Sequence, residues 1–562
     1  MESLTVSIAR VTRSATSSTF RCWRLLRWAS SSRCCNSCAA GFILVPLLFV
    51  ICLASASCGN DDSKAPSPTI GSNSDASASP APAASVSGTE PSGAAAKVWI
   101  EIALKVAADI ADPKERAETY LAMADLQLDA GDTAGGRKTL DLAQKSISSV
   151  DSHQAIAKPE LYISLARALL KAADKNAARE TLDFAKSSAF DMEIGFSKWY
   201  SYEKIAGLQA RAGDIANAKK TVSEISDAKQ QVDAMVQLAE GQAKAGDTGG
   251  AKDTASRISD AAKRGRAYAR IAASLAEAGD ITGARAVAAG ITDPEQQLEA
   301  FVGLIGARAT ANDFAGAMAM ASELSDPMSK STAYWAIAQK RIKSGDKAGA
   351  MRDLEAAKSA ASLIADPARS AMFSGVVALL LSEMGSTSAA REALEQSKVA
   401  SAKISDAKAR QELLGGLARV QAALGDSSEA KATLSQMNDV KMREYLAADL
   451  ARSQAKSGDI VGAKKLMAEL TDDYAKAKAS LAIANVQAAT GDLAAARITG
   501  SPALQSVSNE DAYLTLAAAA ARAGAFEDLK RWADGRDDPR QKCWIYIGVA
   551  NGIMGRDDER RH

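Results

Sequence analysis

Histidine is almost missing from this chain. His153 and the terminal His562 are the only two in 562 residues, which excludes His-rich metal sites and argues against imidazole acid–base catalysis. Cysteine is as scarce where it would count. Cys22, Cys34, Cys35, Cys38 and Cys52 fall in an N-terminal leader, Cys58 stands at its exit, and only Cys543 lies further on. The mature chain therefore builds no disulfide framework and no thiolate metal cluster. Cys543, next to Trp544 on an apolar stretch, reads as a small buried hydrophobe. Aromatic residues make up 5%, and Trp335, Tyr200 and Tyr445 are the candidates for a stacking surface. The formal charge is +1, so the whole chain is no polyanion binder by bulk electrostatics. Glycine is frequent, but TGGAKD at 248–253 lacks the Gly-Lys-Ser/Thr ending of a phosphate loop, and no strand precedes it. The expectation is a non-catalytic chain with no metal, cofactor or nucleic-acid partner.

What the chain has instead is a recurring turn. In AKAGDTGGAKD, residues 243–253, an apolar helical stretch ends at Gly246, Asp247 follows, and a second helix begins. The same place is held by Gly131, Ala173, Gly213, Gly279, Asn312, Gly345, Gly385, Gly425, Gly458, Gly491, Gly524 and Gly555. Gly and Asn tolerate the left-handed conformation that commonly ends a helix; Ala173 predicts an altered turn. Asp follows in most copies and can cap the free N–H groups of the next helix. Five residues after the glycine place stands a small residue, as in Ala178, Ala218, Ala251 and Ala284. Seven residues before it stands another, as in Ala239 and Ala272. Small side chains there let antiparallel helices approach closely.

The glycine places are 33 residues apart from Gly213 to Gly345 and again from Gly425 to Gly524, with steps of 40 between. The difference of 7 is two turns at ~3.6 residues per turn, so a helix lengthens without rotating its apolar face far. First helices open at Asp112-Pro113, Asp293-Pro294, Asp326-Pro327, Asp366-Pro367 and Asp538-Pro539, or at Asp227, Asp260, Asp406 and Asp472 without proline. Asp caps, and Pro suits the first helical position. Twelve helix pairs result, followed by a last helix around Trp544 that covers the final apolar face.

Residues 1–58 differ. Six Arg and no Lys precede Gly41, and GFILVPLLFVICLASAS runs into Cys58. This is the layout of a secretory signal. It can be read as a lipoprotein signal with Cys58 as the lipid attachment point, as a leader cleaved near Ala54-Ser55-Ala56, as an uncleaved membrane anchor, or as an organelle transit peptide. Ser55 stands where a lipobox has a branched apolar residue. Residues 59–96, rich in Ser, Ala and Pro, read as a flexible tether, and 97–562 as the helical array.

Over residues 110–555 the pattern resembles the tetratricopeptide repeat family. The shared marks are the mid-helix small residue, the turn glycine, the Ala five residues on, and an aromatic eleven residues before the glycine (Tyr120, Tyr162, Tyr202, Tyr268, Phe301, Tyr334, Tyr513, Trp544). The prolines come earlier than in the family, which predicts longer first helices, and Ala255, Ala288 and Ala321 stand where its second helix has a large aromatic. The resemblance implies an all-α, right-handed α-solenoid whose groove is lined by first helices and binds protein. The family's carboxylate clamp is not reproduced, since Leu121 and Ile163 stand in its place.

Six residues before the glycine the residue type varies freely, which predicts a solvent-facing groove position. Arg419, Arg452 and Asn485 hold it in three successive repeats, with Tyr445 and Lys478 seven residues earlier on their helices. Arg can fork onto a carboxylate, so these five are the candidate partner-binding residues and an acidic extended peptide is the candidate partner. The alternative is a set of surface charges pairing with Glu412 and Asp449. The function expected is a protein-binding scaffold tethered to a membrane outside the cytoplasm. A structural spacer or assembly factor of an envelope complex, and a glycan or small-molecule binding module, stand as alternatives.

Overall fold

The structure is a computed structural model that describes residues 92–151, 157–192, 196–505 and 510–556. The leader with Cys58, His153 and His562 lie outside the described residues. The described residues form twenty-seven helices. A leading helix, α1 (Ser92–Ala107), precedes twelve pairs. The pairs are α2 (Pro113–Asp129) with α3 (Thr133–Ser148), α4 (Ala157–Lys171) with α5 (Lys175–Phe190), α6 (Phe196–Arg211) with α7 (Ile215–Ser223), and α8 (Ala228–Lys244) with α9 (Thr248–Ser256). Next come α10 (Ala261–Glu277) with α11 (Ile281–Ala289), α12 (Pro294–Thr310) with α13 (Phe314–Glu323), α14 (Pro327–Lys343) with α15 (Lys347–Ala361), and α16 (Pro367–Glu383) with α17 (Thr387–Ala402). Then come α18 (Ala407–Ala423) with α19 (Ser427–Ser435), α20 (Val440–Lys456) with α21 (Ile460–Glu469), α22 (Asp473–Ala489) with α23 (Leu493–Thr499) and α24 (Ser501–Leu504), and α25 (Glu510–Arg522) with α26 (Phe526–Asp534). Helix α27 (Pro539–Ile553) closes the described chain.

One turn makes every pair. All thirteen places have positive φ, including Asn312 at 61° and Ala173 at 57°. The altered turn expected at Ala173 is not there. Its N–H reaches Leu170 O and the next N–H reaches Leu169 O, as Gly213 and Asp214 do with Ala210 and Gln209. Those two bonds hold the alanine in a conformation its Cβ disfavours. The Asp that donates the second bond also starts the next helix. Asp247, for example, donates its N–H to Gln242 O and accepts from Gly250 N. Asp426 is the exception; its carboxylate is held by both terminal nitrogens of Arg391 instead. The caps expected at Asp227, Asp260, Asp406 and Asp472 all form, and Asp439 adds one that has no proline to mark it.

Small residues set the spacing of the helices. The alanines five places after the turn, from Ala178 to Ala496, are fully buried, as are Ala239, Ala272 and Ala484 before it. On α26 Leu529 takes the small place. Four pairs add a buried polar tie from one helix to the other: Thr139 donates to Gln127 Oε1, Thr221 to Gln209, Thr254 to Gln242 and Thr433 to Gln421, at 2.6–2.8 Å. Pairs are linked along the array by arginines on second helices. Arg137 and Arg179 donate to the terminal carbonyls Ala172 O and Ala212 O of the next first helix.

The last helix does more than cover the final face. It packs on α1, which lies at the other end of the chain, and on α2. Helix α1 buries Ala96, Ile100, Ala103 and Ala107, and Ile110 follows. That register lies forty residues ahead of Gly136, Leu140, Ala143, Ile147 and Val150, the buried row of α3 and its end. Helix α1 therefore has the register of a second helix, with no first helix before it among the described residues, and α27 supplies one. The thirteenth pair is made from the two ends of the array, and the solenoid closes on itself as a ring. The seam is well packed. Trp99 meets Phe526 and Tyr546 with centroids 6.2 and 5.8 Å apart, and Cys543 Sγ sits 3.4 Å from Ala103 O. Arg540 pairs with Glu115, Glu118 and Glu510, and Arg556 with Asp125 and Asp129.

Each first helix packs on the next first helix all the way round, while neighbouring second helices barely meet. Elements in contact around a closed circuit lie on the shorter circumference, so first helices line the inside. Thirteen helices at ~10 Å spacing, on a circular plan, leave an opening on the order of 30 Å.

The turn predicts an opposed pair of substitutions. No atom lies within 4 Å of a Cβ added at Gly246, so Gly246→Ala costs conformation alone, about 1 kcal/mol. Ala173→Gly relieves the same strain and stabilises by about 0.5–1 kcal/mol. Thermal melts check this: the midpoint falls in the first variant and rises in the second. Shifts of the same sign in both would contradict the account.

Candidate functional site on the inner face

On α10 beyond its first turn, Arg266, Arg270, Ala273 and Glu277 are left accessible and form one stripe down the helix, with Tyr268 half-buried beside it. The stripe lies thirteen, nine, six and two residues before the turn. The variable position singled out in the sequence is its third member; it is exposed at Arg167, half-buried at Ala273, Arg419, Arg452 and Asn485, and buried at Ala518 and Val549.

Most charges of the stripe are paired from one pair to the next. Lys204 meets Glu160 at 3.0 Å, Lys263 meets Asp233 at 2.8 Å, Arg270 meets Glu240, and Lys171 meets both Asp125 and Asp129. Two loci depart from balance. At the seam Arg540 serves the three carboxylates Glu115, Glu118 and Glu510, and Lys114, 3.7 Å from Glu118, is the only second cation paired with them among the described residues. Burial first, and then the neighbouring acids, raise the carboxyl pKa values of Glu115 and Glu118 above the ordinary value, against the pull of Arg540 and, at Glu118, first of Lys114.

The second locus is the reverse. Asp449 on α20, whose side chain is only 9% exposed, is approached by Lys478 Nζ at 2.9 Å, Arg419 Nε at 3.3 Å and Arg452 Nη2 at 3.9 Å. These cations come from three successive first helices, α22, α18 and α20. Burial acts most strongly on Asp449 and would raise its pKa, yet the three cations together hold it below the usual value. Lys478 responds the other way. Burial and the two guanidinium groups bring it down to about 8 in spite of Asp449. The two shifts are consistent, because one carboxylate shared among three cations leaves a surplus charge, and the deeply set ammonium (18% exposed) loses its proton before an arginine does.

Beside this cluster Tyr445 and Tyr474 stack at 6.0 Å with planes 4° apart, and Lys478 Nζ lies 3.4 Å from the Tyr445 centroid. The structure thus brings together Arg419, Tyr445, Arg452 and Lys478. Asn485, on α22, makes none of these contacts, and its Oδ1 is buried without a hydrogen-bond partner. Of the two carboxylates weighed as counter-charges, Asp449 holds the cations and Glu412 does not. Tyr474 was missed in the sequence: it sits at a place in the first turn of its helix where, among the other repeats, only Phe196 is aromatic. Trp335 is 5% exposed and belongs to the packed core, so it is no groove aromatic. Tyr200 is exposed on the inner stripe with Lys204 Nζ 4.1 Å above its ring. Among the described residues no group of His, Cys, Asp and Glu could hold a metal ion.

No protein-family model matches the chain, and no curated protein matches it. Solved structures with similarity include the pentatricopeptide repeat protein PPR10 from maize, at 14% identity over 77% of this chain and 65% of that one, TM-score 0.31. Naa15/Naa10 bound to HypK-THB is matched at 14% identity over 82% and 79%, TM-score 0.22. A circular tandem repeat protein with novel repeat topology is matched at 12% identity over 82% and 97%, TM-score 0.13. All three are helical repeat structures, and at these scores the likeness carries no argument about sites or partners.

Proposed function

We propose that the ring is a non-catalytic protein-binding scaffold that holds an acidic, extended peptide segment on its inner face. The observation that carries this reading is the convergence of Arg419, Arg452 and Lys478 on the single buried carboxylate of Asp449. Two positive charges there are not neutralised inside the cluster. Carboxylates of a bound segment would supply the missing counter-charge, with the stacked Tyr445–Tyr474 face offering apolar contact. The acid-rich seam gives the opening a second pole, which favours a segment whose acidic stretch is followed by a basic one. A closed ring has no terminal pair on which a further array could dock, and this sets the spacer reading behind the scaffold.

The proposal includes a place for the protein. The signal-like leader followed by the Ser/Pro/Ala tether supports attachment to a membrane outside the cytoplasm, through a lipid on Cys58. Among the described residues no helix is long and apolar enough to cross a membrane. Cys58→Ser is expected to release the protein from the membrane fraction or block its processing. Unchanged attachment would remove the lipid.

For the peptide, the direct test is fluorescence anisotropy with labelled Asp/Glu-rich and Lys-rich decapeptides. The acidic peptide binds, with affinity falling as salt rises, and Arg452→Ser weakens it by about tenfold. Affinity also falls as the pH rises through about 8, where Lys478 loses its charge. The stability change has the opposite sign. A lysine depressed in the fold carries a burial cost that is full below about 8 and is relieved as pH rises toward 10.5, so stability does not fall for this reason in that window. Equal binding of the basic peptide, or no effect of Arg452→Ser, would reject the site.

A further inference from the structure

The second helix of the eleventh pair is unlike its counterparts. It breaks at Gly500 into α23 and α24, with Pro502 in the first turn of the short piece. Between these helices and α25–α26 lies an open cleft of about 610 Å³. Its wall includes Arg497, Ile498, Leu504, Tyr513, Trp532 and Arg536. It is built largely from second helices and so lies on the outer side of the ring, away from the Asp449 cluster.

Three cations on this outer side have a partner one pair further on. Lys186 meets Glu224, Arg285 meets Glu323 and Lys431 meets Glu469, each thirty-eight residues apart. Arg497 occupies the corresponding cationic place. Thirty-eight residues on from it the chain has Gly535, and then a second cation, Arg536. Lys219, Lys252 and Lys464 hold the same place without a carboxylate thirty-eight residues on, so what sets Arg497 apart is the second guanidinium beside it. Among the described residues neither arginine makes an ion pair, and Arg536 Nε is buried without a hydrogen-bond partner. Arg497 lies over the Trp532 ring, 5.5 Å from its centroid. Burial and the nearby Arg536 hold the Arg497 pKa below its ordinary value. Two like charges held together, with a buried donor left over, are stabilised by an anion between them. Ile498 is 78% exposed at the rim, so an apolar surface stands beside the charges.

We propose that this cleft binds a small oxyanion, phosphate or carboxylate, carried on a flat apolar body. Arg497 and Arg536 fork onto the anionic oxygens, and the body rests on Ile498, Leu504 and Tyr513. The site is separate from the inner face, so loss of peptide binding there leaves it intact.

Titration calorimetry on the full-length protein in mild detergent tests the assignment, with phenyl phosphate, benzoate and inorganic phosphate as probes. One phenyl phosphate or one benzoate binds per chain, and the tighter of the two identifies the oxyanion. Inorganic phosphate binds more weakly than phenyl phosphate. Arg497→Ala and Arg536→Gln each weaken binding by about tenfold, while Arg285→Ala, a paired cation on the same side, leaves it unchanged. Should Arg536→Gln lower the melting midpoint, Arg497→Ala, on an exposed side chain, decides alone. No heat from either aromatic anion at about 10 mM, affinity unchanged in Arg497→Ala, or an equal loss in Arg285→Ala would overturn the proposal. Equal affinity for phenyl phosphate and inorganic phosphate would overturn its apolar half.

Discussion

A helix pair in an array has two apolar flanks, and both must be covered. In an open array the inner pairs cover each other and the two end pairs cannot, so the ends need polar caps. Here α27 and α1 remove the problem by completing one another. The seam is made of the same contacts as any other junction, together with the Trp99, Phe526 and Tyr546 rings and the Arg540 and Arg556 ion pairs. Closing so long a loop adds little entropic cost, because that cost grows only with the logarithm of loop length. The inner face follows from closure. First helices are brought onto the short circumference, and their accessible stripes become the lining of one opening.

Within each pair the geometry rests on one residue in the left-handed conformation and the residue after it. The first ends a helix with two backbone bonds. The second, usually Asp, accepts from the N–H groups of the next helix, so the two helices share a joint with little freedom. This rigidity gives the inner stripe its regular positions. Arg419, Asp449 and Lys478 meet because α18, α20 and α22 are in equal register, although none of the three is a neighbour of another in sequence.

The joints were legible because each is local. Glycine, Asp and the small residue five places on lie within one short window, and thirteen copies in phase leave no other reading. Only Ala173 misled, since a left-handed alanine is disfavoured in isolation and here its helix-end bonds hold it. The ring was not read, although its signal was present. Ala96, Ile100, Ala103 and Ala107 repeat the α3 register forty residues early, but they sit in an alanine-rich stretch that continues the tether composition, and their partner is more than four hundred residues away. Arg419, Arg452, Lys478 and, as a counter-charge, Asp449 were named in the sequence; that one buried carboxylate is shared by all three cations was not. That depends on how deeply Asp449 is set, which periodicity does not report. The Arg497–Arg536 cleft was invisible for a related reason: it depends on the helix break at Gly500 and on a guanidinium nitrogen buried without a partner, which periodicity does not report either.

Closure is the claim on which the inner face depends, and a distance measures it. Spin labels placed by cysteine at Val98 and Glu527, the neighbours of the stacked Trp99 and Phe526, report across the seam when the leader cysteines are replaced by serine. Cys543 does not interfere, because burial raises its thiol to about 12. The ring predicts a single narrow distribution in the range of roughly 10–25 Å, one helix spacing plus the label arms. A broad distribution centred above about 50 Å, as for the two ends of an open array, would contradict it.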